Sequence, residues 1–192
     1  MTLFRSNTVL ALGIVALVQT GALAGMVIDR VRLLKTGREI TLPIIPVDPR
    51  DLFRGEYVRL GYEAARLPVR LLDGPPPGRN DAFYVTLEQR KEDGSWHPVR
   101  ITRTWPDEKA PDRIVLKARS VFSWPGVTLP TSIVQARYGI ESYFVPQGEG
   151  PRLEALARDK KLAARIAVDS KGTAAIKGII IDGKLQYEES LF

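Results

Sequence analysis

The hydrophobic positions of this chain change period once. Residues 8–28 carry no charge and are rich in Leu, Val and Ala, and a run of about 20 such residues suffices to cross the hydrocarbon core of a bilayer. After Gly37 the apolar residues alternate instead. Ile40, Leu42 and Ile44 take one face and Glu39, Thr41 and Pro43 the other, which predicts a first strand. Val58, Leu60 and Tyr62 repeat the pattern, and so do Phe83, Val85 and Leu87 against Tyr84, Thr86 and Glu88. Residues 92–94 turn that strand into a hairpin partner at 96–104. Residues 114–124 predict another strand, with Ile114, Leu116, Ala118 and Phe122 inward, and 133–138 and 140–145 two more, split at Gly139. Within the domain only residues 150–161 have helical spacing, with Leu153, Leu156 and Ala157 on one face. Residues 163–168, 174–181 and 185–187, separated by turns at 169–172 and 182–183, predict a closing antiparallel meander.

The three consecutive prolines within residues 73–81 make that stretch a loop, because proline donates no ladder hydrogen bond. It is no domain boundary, since only two strands precede it. The pattern therefore predicts an anchor with a short extension at 1–35 and one domain at 36–192. The domain is expected to be mainly β, an antiparallel barrel or sandwich with one short helix, preceded by an N-terminal transmembrane helix. A chain of 192 residues fits that division, given domains of roughly 100–150 residues.

Two readings of the apolar run compete. Arg5 ahead of it and Ala22-Leu23-Ala24 near its end resemble a cleavable secretory signal. An uncleaved anchor is favoured, because the run continues through Met26, Val27 and Ile28 and exceeds the ~7–15 residues of a signal core. The first expected partner is thus the lipid bilayer, through residues 8–28. Arg30, Arg32, Lys35 and Arg38 follow the run, and the positive-inside rule would keep the domain in the cytoplasm. The short N-terminal side and the signal-like start point outward, so the expectation is a single pass of the cytoplasmic (inner) membrane with the domain on the outer, periplasmic face.

Charge and composition remove several classes of chemistry. Lys and Arg number 28 against 22 Asp and Glu, a net charge of +6, but they are scattered among the acidic residues, so nucleic acid is not an expected partner. The chain has no cysteine and one histidine, His97. Disulfides, thiolate chemistry and cysteine metal sites are excluded, and His97 lacks a second imidazole for a metal site. No metal and no cofactor is expected.

The stretch that stands out is Pro46-Val-Asp-Pro-Arg-Asp-Leu-Phe-Arg-Gly-Glu-Tyr-Val-Arg-Leu-Gly-Tyr62. Its prolines set a rigid turn, Gly55 is a hinge, and Asp48, Arg50, Asp51, Arg54 and Glu56 alternate in charge. Such a loop either pairs internally and holds its own shape or lines a cleft for a polar ligand or a partner protein. Tyr57 and Tyr62 fall on opposite strand faces, so one belongs to the core and the other to the surface. Gly55-Glu-Tyr-Val-Arg-Leu-Gly-Tyr62 resembles the signature of the bacterial GDYXXLXY family, with Glu56 where the family name has Asp. The likeness extends to Pro46-Val-Asp-Pro-Arg-Asp51 and to Tyr138-Gly-Ile-Glu-Ser-Tyr-Phe-Val-Pro-Gln-Gly-Glu-Gly150. The resemblance implies an N-terminal hydrophobic segment followed by one compact domain, in a membrane-anchored family without an assigned chemistry. It also implies another integral membrane protein as a candidate partner.

Glu141 and Tyr143, in the second of these segments, would extend the motif charges into one polar site with aromatic walls. The expected function is a non-enzymatic binding or interaction domain at the cell envelope. The alternative is a membrane-anchored hydrolase using carboxylates or a serine, with Ser120, Ser123, Ser132 and Ser142 available but none in a recognisable nucleophile context. The lack of any acid, base and nucleophile spacing makes the enzyme the weaker of the two.

Overall fold

The charge-free run lies within a 34-residue helix, α1 (Leu3–Thr36), roughly 51 Å long at about 1.5 Å per residue. The structure is a computed structural model and describes residues 3–46, 57–122, 132–145 and 148–188. From Thr8 to Thr36 the helix has a mean hydropathy of 2.0 and is long and apolar enough to cross a membrane. The Leu17 side chain is 75% exposed, and Val9, Leu10 and Met26 are similarly bare.

The helix ends where Thr36 Oγ1 donates to the Arg32 carbonyl at 2.9 Å and the Gly37 amide donates to the Leu33 carbonyl at 2.9 Å. A Cβ on Gly37 would meet Leu33 O at 2.5 Å and Ala167 Cβ at 3.1 Å, so glycine is required by crowding. That crowding arises because the last turn of α1 docks on the domain: Leu33 and Leu34 are buried against Ala167 and Ala175.

The domain consists of strands in the order β1 (Arg38–Ile45), β2 (Tyr57–Arg59), β3 (Gly61–Tyr62), β4 (Arg66–Pro68), β5 (Leu72–Asp73), β6 (Ala82–Gln89), β7 (Trp96–Thr102), β8 (Arg113–Ser120), β9 (Ile133–Arg137) and β10 (Ser142–Phe144). Helix α2 (Gly150–Arg158) and strands β11 (Leu162–Val168), β12 (Ala174–Ile181) and β13 (Lys184–Glu188) complete it. One sheet runs β13-β12-β11-β1-β3, a second runs β4-β9-β8-β6-β7-β5, and β10 pairs with β2 in a separate two-stranded ladder. Every pairing is antiparallel except the short β5–β7 contact. Among the described residues no ladder closes the sheets into one barrel. They share a single core, which includes Leu42 and Ile166 of the first sheet and Phe83, Val85 and Leu116 of the second. The Asp169–Thr173 turn ties them at one corner, where the Lys117 amide donates to the Gly172 carbonyl at 2.8 Å. Gly172 has φ +79° there, and a Cβ would sit 2.9 Å from the Lys117 nitrogen.

The alternating patterns match the buried faces closely: Ile40, Leu42 and Ile44 point inward from β1, and Phe83, Val85 and Leu87 from β6. Four features differ from the sequence reading. The signature strand is split, β2 pairing with β10 and β3 with β1. Phe122 is 69% exposed rather than inward, because β8 stops at Ser120, whose hydroxyl caps the Phe122 carbonyl and turns the chain. Helix α2 stops at Arg158, and Lys160 takes φ +57°, which no helix continues. Two 3-10 turns, Glu63–Ala65 and Val69–Leu71, stand where no helical period announced them. Leu153 and Ala157 of α2 are buried as expected.

Candidate functional site

The two segments that carry the family resemblance meet in space. The Leu60 amide donates to the Glu141 carbonyl at 2.9 Å, and Val58 faces Tyr143 across the β2–β10 ladder. Two tyrosines then cross the gap in opposite directions: Tyr62 Oη donates to the Ile140 carbonyl at 2.7 Å, and Tyr138 Oη to the Ala64 carbonyl at 2.6 Å. Tyr62 has no exposed surface and Tyr138 is 6% exposed. Burial, with the nearby Glu141 carboxylate second, pushes both phenols well above their ordinary range, so they remain neutral donors.

Glu141 completes the frame. Its carboxylate accepts the Tyr138 amide at 2.5 Å and the Gly139 amide at 3.0 Å, where Gly139 turns the chain at φ +85°. A carboxylate that holds successive N–H groups fixes a turn as an Asx-type cap does.

The predicted site residues fall into three groups. Tyr62 is fully buried and offers no surface to a ligand, a correction to its place among the binding residues. Glu141 and Tyr143 lie at the frame, Glu141 holding the turn and Tyr143 half-buried against the core. Asp48, Arg50, Asp51, Arg54 and Glu56 lie outside the described residues, and so does the side chain of Tyr57, which opens β2. Tyr138 is the residue that sequence reasoning passed over. Its only signal was its position at the head of the second resemblance segment.

The groups considered for catalysis are placed differently. Ser120 is buried and bonded to a backbone carbonyl, and Ser123 lies outside the described residues. His97 Nε2 is 2.7 Å from Ser95 Oγ, which itself lies 2.5 Å from Asp93 Oδ1. The order is carboxylate, hydroxyl, imidazole, whereas nucleophile activation needs the imidazole in the middle. The Ser95 hydroxyl donates to Asp93, whose carboxyl this bond holds below the usual range, and so is not directed at the imidazole. Among the described residues no cluster of His, Asp and Glu could hold a metal ion.

No curated protein and no solved structure matches the chain. A family model described as GDYXXLXY protein matches residues 19–179, from the second half of α1 to β12, and the chain belongs to the GDYXXLXY family.

Proposed function

We propose that this protein is a membrane-anchored binding domain of the bacterial cell envelope, without chemistry of its own, which presents residues 47–56 to another integral membrane protein. The observation that carries this reading is the frame just described: the polar atoms of Tyr62, Tyr138 and Glu141 are engaged by backbone groups, so the described part of the signature holds a shape. A rigid frame lowers the ordering cost of whatever segment it presents, which favours recognition. Asp48, Arg50, Asp51, Arg54 and Glu56 would first brace that segment and then meet the partner, with Tyr57 and Tyr143 beside them. The anchor is retained and the domain faces the periplasm in this reading.

The bracing is tested by Arg50→Ala and Asp51→Ala. Each should lower the melting temperature by several degrees, and the double variant should lose less than the sum, because both break one interaction. A photo-crosslinker at position 54 should join the chain to a second membrane protein; a chain that crosslinks only to lipid would sink the partner reading. For the anchor, a mature protein starting at Gly25 in the membrane-free fraction would overturn retention. For orientation, digestion of the domain by protease added to intact spheroplasts is expected, and protection until lysis would reverse it.

A further inference from the structure

We propose that the groove between the last turns of α1 and the Asp169–Thr173 turn holds the phosphate headgroup of an anionic lipid from the membrane that α1 crosses. The inference rests on the reading of α1 as a retained anchor. The groove is a cavity of about 940 Å³ with Asp29, Arg32, Trp105 and Lys171 in its wall. Arg32 lies four residues beyond the uncharged run, roughly 6 Å up the helix axis, within the headgroup layer that borders the hydrocarbon. The docking of Leu33 and Leu34 on Ala167 and Ala175 holds the domain beside that layer, so the groove opens at lipid-phosphate depth.

The charges in the wall divide clearly. Arg38 is engaged by the fold, donating to the Arg113 and Pro111 carbonyls at 2.7 and 2.5 Å and lying over the Trp96 ring. Arg113 is paired with Glu88 and Glu108 at 2.7 and 3.2 Å, which also accounts for Glu108. Asp169 accepts the Lys171 and Thr173 amides at 2.8 and 2.7 Å. The side chains of Arg32 and Lys171 are exposed and make no hydrogen bond or ion pair among the described residues. Against them stand the carboxylates of Asp29 and Asp169, and Arg30 adds a further cation to the wall. Trp105 is 46% exposed and is braced edge-on by Tyr84 at 5.4 Å, and indoles are enriched at the headgroup level of membranes. Two free cations beside a fixed indole at that depth match a phosphate on a glycerol stem better than a soluble anion, which would need no apolar wall.

The test uses the full chain reconstituted in phosphatidylcholine vesicles with and without phosphatidylglycerol, followed by native mass spectrometry of the lipid it retains. The parent should retain phosphatidylglycerol preferentially. R32Q/K171Q should lose that preference by roughly fivefold for each cation removed, while the charge-keeping R32K/K171R and the remote Lys91→Gln should keep it. No headgroup preference in the parent, or loss in R32K/K171R or Lys91→Gln equal to that in R32Q/K171Q, would overturn the proposal. Equal competition by inorganic phosphate would reassign the groove to a soluble anion and also overturn it. Flotation of the protein with both vesicle types separates this failure from that of the anchor, since an unanchored chain would float with neither.

Discussion

At the signature strand, Tyr62, Tyr138 and Glu141 direct their polar atoms at backbone groups of a neighbouring segment, whereas at the end of α1 the exposed Arg32 and Lys171 line an open groove. The first region is named by its family resemblance and is closed. The second lies largely outside the motif and is open. The described part of a motif can therefore serve to hold a shape, with its polar groups spent on the backbone. In the frame, a lost donor leaves a carbonyl unpaired in a dry setting, which costs the full desolvation of that group. At the junction, a lost cation costs the fold almost nothing, because exposed charges contribute little to stability.

The comparison breaks first, if at all, at Tyr62. Tyr62→Ala should lower the unfolding free energy by about 3–5 kcal/mol, the range for emptying a buried aromatic site, and Tyr62→Phe by about 1–2 kcal/mol through the unpaired Ile140 carbonyl. Urea unfolding that gives the parent midpoint for Tyr62→Phe would show that the frame does not depend on its hydroxyls. Alkali probes the same pair without mutation. The folded-state values of Tyr62 and Tyr138 are raised, so their contribution is complete below the ordinary phenol value near 10 and is lost as pH rises beyond it. The loss should approach roughly 1.4 kcal/mol per pH unit for each tyrosine. Phenolate absorbance of the buried pair should therefore appear only on unfolding.

Gly37→Val tests the junction. Overpacking between Leu33 O and Ala167 should cost about 1–3 kcal/mol and release the last turn of α1, read as faster amide exchange at Leu33 and Leu34 with the frame amides unchanged. Glu141→Gln should cost about 1.5 kcal/mol by weakening two charge-assisted bonds to the Tyr138 and Gly139 amides, with exchange increasing at those two amides and not at the junction. The smallest effect belongs to the exposed tie between α2 and β13. There the Tyr187 hydroxyl, with Arg152 second, holds the Glu149 carboxyl below the usual range. Its contribution is present above the ordinary carboxylate value and lost as pH falls through the depressed one, so Tyr187→Phe should flatten the acid limb of a stability-against-pH curve slightly. An unchanged limb would remove that tie from the account.

The sequence by itself determined what depends on local period and composition. The uncharged run could only be a long apolar helix, and the alternation of Ile40, Leu42 and Ile44, or of Phe83, Val85 and Leu87, assigned inward faces before any partner strand was known. The glycines at 139, 172 and 183 marked reversals that do take positive φ. The tertiary structure decided what depends on which distant segments meet. That β1 lies between β3 and β11, that the signature strand divides between two partners, and that Tyr62 is fully buried are consequences of long-range pairing. No local pattern records such pairing, since a strand with one apolar face fits many neighbours. The same holds for the helix: its span was legible from hydropathy, but its seat on Ala167 and Ala175 required two alanines to arrive opposite each other across the β11–β12 ladder. Only there does the absence of larger side chains leave room for Leu33 and Leu34.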